Sequence, residues 1–528
     1  MILLGIGGIL SDAASAILRD GHLVAAVEES KLARRTRAPR GELPEESIEM
    51  CLALAKVRAQ QVDCVAVARP IPAAAESGLH LKLRARFPRS RMVLIDHHRA
   101  HAASAFYASP FEDATVLVLD RHGDFRCGSR WHAEGGQLLR LDKELYPPDS
   151  LGELYGRVTE LLGFNANADE HKVQWLSATA DGGHRDLFLD VLQCSSGSWP
   201  SLDRSYFDAE RMTHGGFSAK FFERIGLSDR AAIPERERVH LAAGVQHAIE
   251  EAVLSMAGDG GNLCLAGGLA MNALLVRALE SSGNFDGVFV QPAAGNSGTA
   301  LGAVFEAWHG IYHERGRVSL GNLCWGPAYS AEEIKRVVEN CKLRFRYLLT
   351  SEELIDTAVT QLSENKIVAW MHGRMEFGPR ALGNRSILAS PHDPYSAENL
   401  NTYIKHRESF RKFAASVPAE LASEYFDVGP NARYLATAGR VREGYRERFK
   451  SALLGRDLIR VHAVAEEDNP LYWKLLHTAG KKTGLPVLYN TSFNLFGEPL
   501  VCTPRDAVRS FYSSGIDALF VGNFFLQK

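Results

Sequence analysis

Two consecutive segments near the middle of the chain repeat one pattern: an apolar run, a glycine-rich turn and a stretch with helical spacing. The first comprises an apolar run into glycines at 262–268 and a helix predicted over 270–279. The second comprises an apolar run at 287–291, a turn at 292–298 and a helix predicted over 299–308. Backbone N–H groups at a helix N-terminus bind anions. The repetition predicts two related α/β lobes that close on a nucleotide.

The N-terminal residues predict three short strands, at 2–8, 14–18 and 23–27. A glycine turn follows the first strand, and Asp20-Gly21 is a hairpin signal. This order is similar to the start of nucleotide-binding domains of the actin, sugar-kinase and Hsp70 type, in which turn amides face a phosphate. Three N-terminal strands also occur in many other folds, so this pattern alone does not establish a nucleotide site.

His97 and His101 follow a predicted strand at 92–95 and are four residues apart, followed by small side chains that predict a tightly packed helix. On a helix the two histidines lie on one face and can share a metal ion. Asp120 ends an apolar run at 115–119, a usual place for a carboxylate that binds a metal or positions a phosphate. Chance spacing and capping explain the same residues, so the local pattern leaves both alternatives open.

The stretch W-M-H-G-R-M-E-F-G-P-R-A-L-G-N-R-S at 370–386 holds the arginines Arg374, Arg380 and Arg385 among three glycines and Pro379. Glycines let the backbone approach a ligand closely, and guanidinium groups make paired hydrogen bonds to phosphate or carboxylate. We interpret the stretch as a cradle for an oxyanion. The alternative is a solvated loop with scattered surface arginines.

Further cations and polar groups follow in the last quarter of the chain. Residues 401–416 include Lys405, Arg407 and Arg411, and Arg460 ends a short strand-like run. An apolar strand predicted over 486–489 leads into N-T-S-F-N, whose Asn490 and Ser492 suit polar ligand contacts. The sequence therefore concentrates groups that bind anions after residue 370.

The overall composition limits the classes of function. A chain of 528 residues with 46% hydrophobic and 23% charged residues predicts two or three globular domains. A net charge of -3 argues against a general nucleic-acid binder, although a local basic site remains compatible with it. Eight cysteines without a C-x-x-C pair predict mostly buried, reduced thiols. Without a basic leader or a long apolar run, we expect a soluble, cytoplasmic protein.

Several motifs together resemble one family. They are G-R-M-E-F-G-P-R-A-L-G-N-R-S at 373–386, I-K-H-R-E-x-F-R-x-F-A at 404–414, N-T-S-F-N at 490–494, D-H-H-x-x-H-A-A-S-A at 96–105, L-A-G-G-x-A-x-N at 265–272 and G-x-x-G-T-A-L-G-A at 295–303. The chain resembles the ATP-dependent O-carbamoyltransferases of the nodulation-factor and cephamycin type, which are common in antibiotic biosynthesis. The resemblance covers nearly the whole chain.

The resemblance implies an α/β protein of two domains. Residues 1–345 would form a two-lobed Kae1-like domain of the actin/Hsp70 class, which transfers the carbamoyl group. Residues 346–528 would form a YrdC-like α/β domain, in which carbamoyl phosphate and ATP react to give carbamoyl adenylate. A hydroxyl of a small natural product would then take the carbamoyl group. The implied cofactors are ATP with magnesium and a divalent metal, iron(II) in the family; we expect no nucleic-acid or membrane partner.

The resemblance also assigns roles to individual residues. Carbamoyl phosphate and ATP would be held by basic and polar side chains, the first five as direct family positions: Arg380, Lys405, Arg411, Arg460, Ser492, Arg374, Arg385, Arg407 and Asn490. Of these, Arg380, Lys405 and Arg411 would act in catalysis. The transfer half would bind a metal and the adenylate through a second set: His97, His101, Asp120, Gly267, Gly268, Asn272 and Asn296.

Three departures from the family pattern fall in the transfer half. Asn296 replaces an aspartate that is a metal ligand in the family, so we expect weaker metal binding. Ser11 replaces a histidine that could take the acceptor's proton, which leaves Asp12, His98 or His122 as the base. The segment K-V-Q-W-L-S at 172–177 departs from K-V-M-G-L-A.

These departures keep other functions open. Transfer to nitrogen is one alternative, because a neutral amine needs less help from a base than an alcohol does. A non-catalytic partner that only binds nucleotide is another. A tRNA-modifying role, known for the same two domain types, is disfavoured by the acidic net charge. The sequence names neither the acceptor nor the oligomeric state.

Overall fold

In the computed structural model of the chain, helices and strands alternate throughout the described residues, which are 1–35, 41–71, 73–194, 199–208, 214–228, 233–317 and 320–528. Two five-stranded sheets and one ten-stranded sheet run through this part of the chain. The predicted mixed α/β class is confirmed. None of the described helices is both long and apolar enough to cross a membrane.

The first sheet is built from the N-terminal residues: β1 (Ile2–Gly7), β2 (Ala14–Arg19), β3 (His22–Glu28), β4 (Cys64–Ala68) and β5 (Arg91–Ile95). Its strand order is β3-β2-β1-β4-β5. The three N-terminal strands form an antiparallel meander, and β4 and β5 run parallel to β1. All five residues of β4 are buried, as expected for a parallel strand covered on both faces.

The second sheet repeats this topology with β6 (Ala114–Gly123), β7 (Arg126–Glu134), β8 (Gln137–Leu145), β9 (Asn262–Ala266) and β10 (Gly287–Val290). Its order is β10-β9-β6-β7-β8, again with a three-stranded meander and two strands parallel to the first. The two sheets therefore form related lobes, as the sequence predicted. The two strand, turn and helix units that suggested them both contribute their strands, β9 and β10, to the second sheet.

Helices surround these two sheets: α1 (Glu29–Ala33), α2 (Glu45–Ala55), α3 (Ala73–Arg86), α4 (His97–Phe106), α5 (Leu151–Leu161), α6 (Glu170–Ser177), α7 (Arg185–Leu192), α8 (Ala219–Arg224), α9 (Glu235–Ala257), α10 (Ala273–Ser281) and α11 (Thr299–Glu306). The alanine-rich faces of α4 and α11 share one core with strands of both sheets. A Cβ on Gly302 would lie 1.7 Å from the Ala100 carbonyl oxygen, so glycine is what lets these helices touch. The predicted tight packing after His101 is confirmed.

The third sheet is drawn from residues after 345: β11 (Arg346–Tyr347), β12 (Val368–Met371), β13 (Arg385–Ala389), β14 (Ala414–Pro418), β15 (Phe426–Asp427), β16 (Ala438–Val441), β17 (Leu458–Val464), β18 (Leu488–Ser492), β19 (Ala518–Val521) and β20 (Phe524–Gln527). Its order is β11-β20-β19-β12-β13-β18-β14-β17-β16-β15. The glycine- and arginine-rich stretch at 370–386 connects β12 to its antiparallel neighbour β13.

The helices of this half are α12 (Ala331–Asn340), α13 (Ser351–Ser363), α14 (Ser396–Asn399), α15 (Ala422–Tyr425), α16 (Arg446–Phe449), α17 (Pro470–Thr483) and α18 (Pro504–Tyr512). Capping boxes begin two of them, at Ser330 with Glu333 and at Thr503 with Asp506. Ile334 and Val338 of α12 pack into the core of the third sheet, so this helix belongs with the C-terminal half.

Three local details differ from the sequence prediction. Asp120 does not end its strand, because β6 continues through a register shift to Gly123. Arg460 lies within β17 instead of at the end of a strand. The segment around residues 169–176, whose structure the sequence did not define, forms α6. Five of the eight cysteines are buried and all are free, as expected.

Candidate functional site

The first candidate centre lies where α4 meets β6 and joins two histidines to one carboxylate. His97 Nε2 lies 2.8 Å from Asp120 Oδ2, and His101 Nε2 lies 3.4 Å from the same oxygen. One ligand atom from each of the three residues lies within 4.8 Å of the others. All three side chains are buried. The fold thus brings together the residues that the resemblance assigned to a metal.

Hydrogen bonds orient this cluster. Asp96 caps α4 by accepting a hydrogen bond from the Arg99 N–H, which places His97 and His101 one turn apart on one face. His97 Nδ1 lies 2.8 Å from the Arg69 carbonyl oxygen and donates to it, and Nε2 lies 2.8 Å from Asp120 Oδ2. Nε2 is therefore the nitrogen of His97 that would face a metal. Within the described residues, both ring nitrogens of His101 lack a hydrogen-bond partner. These donor atoms fit a divalent metal ion.

The protonation states suit the same interpretation. Burial disfavours the charge on Asp120, but the neighbouring imidazoles of His101 and His97 outweigh burial and hold the pKa of Asp120 well below its usual value. Burial opposes the charge on His97, but the contact with Asp120 gives its pKa a net rise in the absence of a metal. Burial has the largest effect on His101 and lowers its pKa. An ionised carboxylate and a neutral imidazole are the forms that bind metals.

Asn296 lies beside His101 at the turn that precedes α11. Its Nδ2 donates to Ser11 Oγ at 2.7 Å. Its Oδ1 is buried and has no hydrogen-bond partner in the described part of the chain. An amide oxygen in this position can act as a neutral oxygen ligand. Two of the three expected departures from the family pattern, Ser11 and Asn296, are therefore in direct contact.

The glycine turn after β9 packs against the strand that carries Asp120. Gly267 has a φ of +93°, and a Cβ there would lie 2.2 Å from the Leu119 carbonyl oxygen. A Cβ on Gly268 would lie 3.2 Å from Asp120 Oδ1. Any side chain here would therefore collide with β6 or with the cluster of His97, His101 and Asp120. The turn leaves backbone alone facing Asp120.

Asn272 is engaged by the protein itself. Its Oδ1 accepts hydrogen bonds from the Leu274 and Leu275 N–H groups and so caps α10. Its Nδ2 donates to Gln246 Oε1 at 2.8 Å. The side chain therefore positions the helix after the glycine turn and does not present a free group to a ligand.

The three candidate bases occupy different surroundings. His98 is buried against His97, with ring centroids 5.8 Å apart, and burial lowers its pKa to about 3. His122 is 59% exposed and lies 3.3 Å from Glu153. Asp12 is exposed in the first turn. His98 is therefore next to the metal cluster but is a weak base, because burial favours its neutral form.

The second candidate centre is a group of five basic residues in the C-terminal half, here called the cationic cluster: Arg380, Lys405, Arg407, Arg411 and Arg460. The positive charge of Arg380 acts on Arg460, and those of Arg407 and Arg411 act on Lys405. The charges of Arg411 and Arg380 both help to lower the pKa of His171 of α6, after burial. His171 therefore lies between the Arg380–Arg460 pair and the group of Lys405, Arg407 and Arg411. The fold thus brings together cations that lie in separate motifs of the sequence, from residue 380 to residue 460.

Most hydrogen bonds of these cations go to neutral acceptors, which are amide and carbonyl oxygens. Lys405 Nζ donates to Asn494 Oδ1 at 2.8 Å and to the Ser492 carbonyl, and Arg407 Nε donates to Asn401 Oδ1 at 2.6 Å. Arg380 donates to the Met271 carbonyl at 3.3 Å. Among the described residues, only Arg411 of the cluster has a carboxylate within 4.0 Å, that of Glu408.

Lys405 is buried, and the four arginines of the cluster are partly exposed. Burial, followed by repulsion from Arg407 and Arg411, lowers the pKa of Lys405 well below its usual value. Burial and then Arg380 do the same for the pKa of Arg460. Burial alone lowers the pKa of Arg380 to about 10. Charges removed from water normally have counterions, so a cluster with so few carboxylates nearby is suited to an anion.

Arg374 and Arg385, predicted as further ligand contacts, are used differently. Arg385 is 0% exposed and donates to the His372, Gly373, Asn384 and Pro327 carbonyls. Arg374 donates to the Gly326, Trp325 and Val24 carbonyls. Their guanidinium groups fix the loop that carries Arg380 and are not directed at an anion.

Glu376, which the sequence analysis did not single out, organises the same loop. Its Oε1 accepts hydrogen bonds from the backbone N–H groups of Leu382, Asn384 and Arg385, at 2.8, 2.8 and 3.0 Å. Its side chain is completely buried. The carboxylate thereby closes the loop on itself and sets the position of Arg380.

The N-terminal half clamps this loop from outside. Lys31 Nζ donates to the carbonyls of Glu376 and Gly378, at 3.0 and 2.8 Å. Lys31 also pairs with Glu28 at 2.9 Å, and Glu28 accepts from the Gly378 N–H at 2.6 Å. No motif marked Glu28 or Lys31; the available signal was their spacing of three residues, from the last residue of β3 to α1.

Helix α6 covers the cationic cluster from the N-terminal half. The Arg460 guanidinium lies 4.6 Å from the centre of the Trp175 ring. Lys172 pairs with Glu408 at 2.7 Å, and Phe164 packs edge-on against Phe410. The departure K-V-Q-W-L-S thus contains the aromatic residue that stacks on Arg460. The sequence analysis noted the departure but not this contact.

Comparison with known protein families identifies two matching models. One is described as the carbamoyltransferase N-terminus and matches residues 71–305. The other is described as the carbamoyltransferase C-terminus and matches residues 359–528. Both candidate centres fall within these two segments.

The chain is also similar to several curated proteins. An uncharacterized protein of Synechocystis is 32% identical, over 100% of this chain and 96% of the relative. The nodulation protein NolNO of Sinorhizobium fredii is 32% identical, over 98% of this chain and 79% of the relative. The 3'-hydroxymethylcephem-O-carbamoyltransferase of Amycolatopsis lactamdurans is 31% identical, over 51% of this chain and 49% of the relative. The chain is an enzyme that belongs to the carbamoyltransferase family.

Proposed function

We propose that the chain activates carbamoyl phosphate with ATP at the cationic cluster and transfers the carbamoyl group to a hydroxyl of a small natural product. The observation that carries the proposal is the charge balance of the cluster. Four of its cations, Arg380, Lys405, Arg407 and Arg460, are unpaired by any carboxylate within 4.0 Å in the described part of the chain. Two polyanionic reagents would supply the missing countercharge.

The activation step consumes one water when phosphate and pyrophosphate both leave. Hydrolysis of carbamoyl phosphate gives carbamate and phosphate. A carbamate oxygen then attacks the α-phosphorus of ATP, the bond to the β-phosphate oxygen breaks, and carbamoyl adenylate and pyrophosphate form. Arg380, Lys405 and Arg411 would bind the phosphate oxygens and stabilise the charge that develops there. Arg460 and Ser492 would complete the contacts to carbamoyl phosphate.

The N-terminal half would carry out the transfer. His97, His101 and Asp120, with Asn296 Oδ1 as a neutral fourth ligand, would hold a divalent metal, iron(II) by family resemblance. The metal would screen the adenylate phosphate while the acceptor oxygen attacks. Gly267 and Gly268 would let the adenylate approach the backbone. Because Ser11 and Asn296 are neutral, the proton of the acceptor must pass to Asp12, His98 or solvent.

We keep the expected division of the chain into two domains, with one change near the boundary. The repeated sheet topology supports a two-lobed, actin/Hsp70-like Kae1 unit within residues 1–345, and α12 of that range goes with the C-terminal half because it packs on the third sheet. We assign residues 346–528 to a YrdC-like unit on the resemblance of their motifs. Because carbamoyl adenylate hydrolyses readily, the contacts of α6 and Lys31 across the two halves would limit its exposure to water.

Pyrophosphate release tests the proposal. The full-length protein with ATP, magnesium and carbamoyl phosphate should release pyrophosphate, and omission of carbamoyl phosphate should stop the release. No release under any metal condition would contradict the activation step and favour a partner that only binds nucleotide. Mass spectrometry of products from alcohol and amine acceptors would then separate oxygen transfer from nitrogen transfer.

A further inference from the structure

The cationic cluster supplies hydrogen-bond donors, but a carbamoyl group also requires an acceptor. Arginine and lysine side chains only donate, which suits the phosphate and carbonyl oxygens of carbamoyl phosphate. The amide N–H groups of the same molecule must find an oxygen or nitrogen lone pair. A site made of cations alone would therefore bind any acyl phosphate of similar size.

Asn490 has the right place in the sheet. Ala414 of β14 pairs with Asn490 of β18 on one side and with Arg460 of β17 on the other. Laterally paired residues project from the same face of a sheet, and so do residues two apart on one strand. Asn490, Ser492 and Arg460 thus share one face, with only the small side chain of Ala414 between the amide and the guanidinium.

The protein fixes which end of the Asn490 amide is available. Asn490 Nδ2 lies 3.1 Å from the Ala381 carbonyl oxygen and 3.2 Å from Ser416 Oγ. Because a backbone carbonyl can only accept, the atom that faces Ala381 must be the nitrogen. The oxygen is therefore held at the other end of the amide.

That oxygen is a buried acceptor without a protein donor. Asn490 is 3% exposed, and its Oδ1 has no hydrogen-bond partner among the residues that the structure describes. A buried acceptor left unpaired costs free energy, whereas both contacts of Nδ2 have a partner. Oδ1 can therefore accept a hydrogen bond from an N–H group of a ligand.

We propose that Asn490 Oδ1 accepts a hydrogen bond from the amide of carbamoyl phosphate and makes the site selective for acyl phosphates that carry an N–H₂ group. The inference rests on the proposed function, because it assigns one contact to the carbamoyl phosphate bound there. Acetyl phosphate carries a methyl group in place of the amide and keeps the phosphate and the carbonyl. It would satisfy the cations but leave Asn490 Oδ1 unpaired.

Calorimetric titration of the full-length protein with carbamoyl phosphate and with acetyl phosphate tests the proposal. The wild-type protein should prefer carbamoyl phosphate by roughly tenfold or more, because a site built around an N–H group rejects the analogue that lacks it. Asn490→Leu removes the acceptor and should bring the preference close to one, while acetyl phosphate still binds. Ser416→Ala is the matched control, because it removes one partner of Nδ2, while the Ala381 carbonyl still accepts from Nδ2 and keeps the amide in its orientation.

Asn490→Ala removes the same acceptor with a smaller side chain and guards against a Leu variant that does not fold. Its preference should also fall close to one, while acetyl phosphate still binds. A folded Asn490→Leu or Asn490→Ala with the wild-type preference would overturn the assignment. Equal binding of both ligands to the wild-type protein would overturn it and leave the proposed activation intact. Binding of neither ligand would overturn both.

Discussion

Ser11 Oγ accepts a hydrogen bond from Asn296 Nδ2 at 2.7 Å, and this contact joins two positions where the resemblance implies a histidine and an aspartate beside the proposed metal. The contact holds the Asn296 amide so that its buried Oδ1 remains available beside His101. The two neutral side chains are thus coupled to each other. We infer that the site keeps four ligand positions with one negative charge fewer.

Asn296→Asp should therefore tighten metal binding. The aspartate restores a charged ligand, and we expect affinity for a divalent metal to rise about tenfold or more. Metal content after dialysis and titration with iron(II) or manganese(II) under anaerobic conditions would measure it. Ser11→Ala is the control, because it loosens the amide without changing charge and should not tighten binding. Unchanged affinity in Asn296→Asp would argue that position 296 is not a ligand.

Arg380→Ala and Arg374→Ala should separate chemistry from folding. Arg380 contacts one carbonyl and is one of the five cations of the cluster. Its loss should lower pyrophosphate release about 10²- to 10³-fold and change the stability little. Arg374 donates to three carbonyls, so its loss should lower the free energy of unfolding by about 2–4 kcal/mol. Urea unfolding and a pyrophosphate assay on both variants would check this. Normal release by Arg380→Ala would remove it from the site.

Binding of carbamoyl phosphate should be accompanied by proton uptake. Burial lowers the pKa of Lys405 well below its usual value, so part of the free protein holds a neutral amine as the pH rises through that lowered pKa. A bound phosphate favours the ammonium and raises the pKa again, so the ligand draws a proton onto Nζ and affinity falls with increasing pH. Calorimetry at a series of pH values, in buffers of different ionisation enthalpy, measures the uptake.

Lys405→Arg provides the control for this linkage, because a guanidinium stays protonated across the same pH range. It should abolish the share of proton uptake that belongs to position 405. The same change should flatten the decline of affinity between neutral and alkaline pH. Identical proton uptake in the wild-type protein and in Lys405→Arg would assign the proton to another group.

The sequence predicted the fold better than it predicted the geometry of the cationic cluster. Continuous apolar runs such as residues 64–68 and 115–119 are buried strands, because only a sheet covered on both faces accommodates them. Arginine content could not separate Arg380 from Arg385, because the residue type does not tell whether a guanidinium faces an anion or a backbone carbonyl. That choice depends on how the loop folds around Glu376.

The contact between α6 and the cluster was also beyond the sequence. Trp175 and Arg460 are far apart in the chain, and neither belongs to a motif that requires the other. Only the packing of the N-terminal half on the C-terminal half brings the ring over the guanidinium. An apolar group of Trp175, Leu274 and Leu458 surrounds the contact, so ordinary burial explains its position and the stack is its consequence.

Trp175→Ala should therefore impair activation from the other half of the protein. The stack of Trp175 on Arg460 holds the guanidinium against the cluster, and its loss should weaken carbamoyl phosphate binding by roughly 3- to 30-fold, the range of a partly buried cation–π contact. Trp473→Ala, a tryptophan of α17 that donates to Glu420 away from the cluster, is the matched control. Trp175→Phe keeps an aromatic face and should recover most of the affinity. Equal affinity in wild type and a folded Trp175→Ala would show that α6 covers the cluster without ordering it.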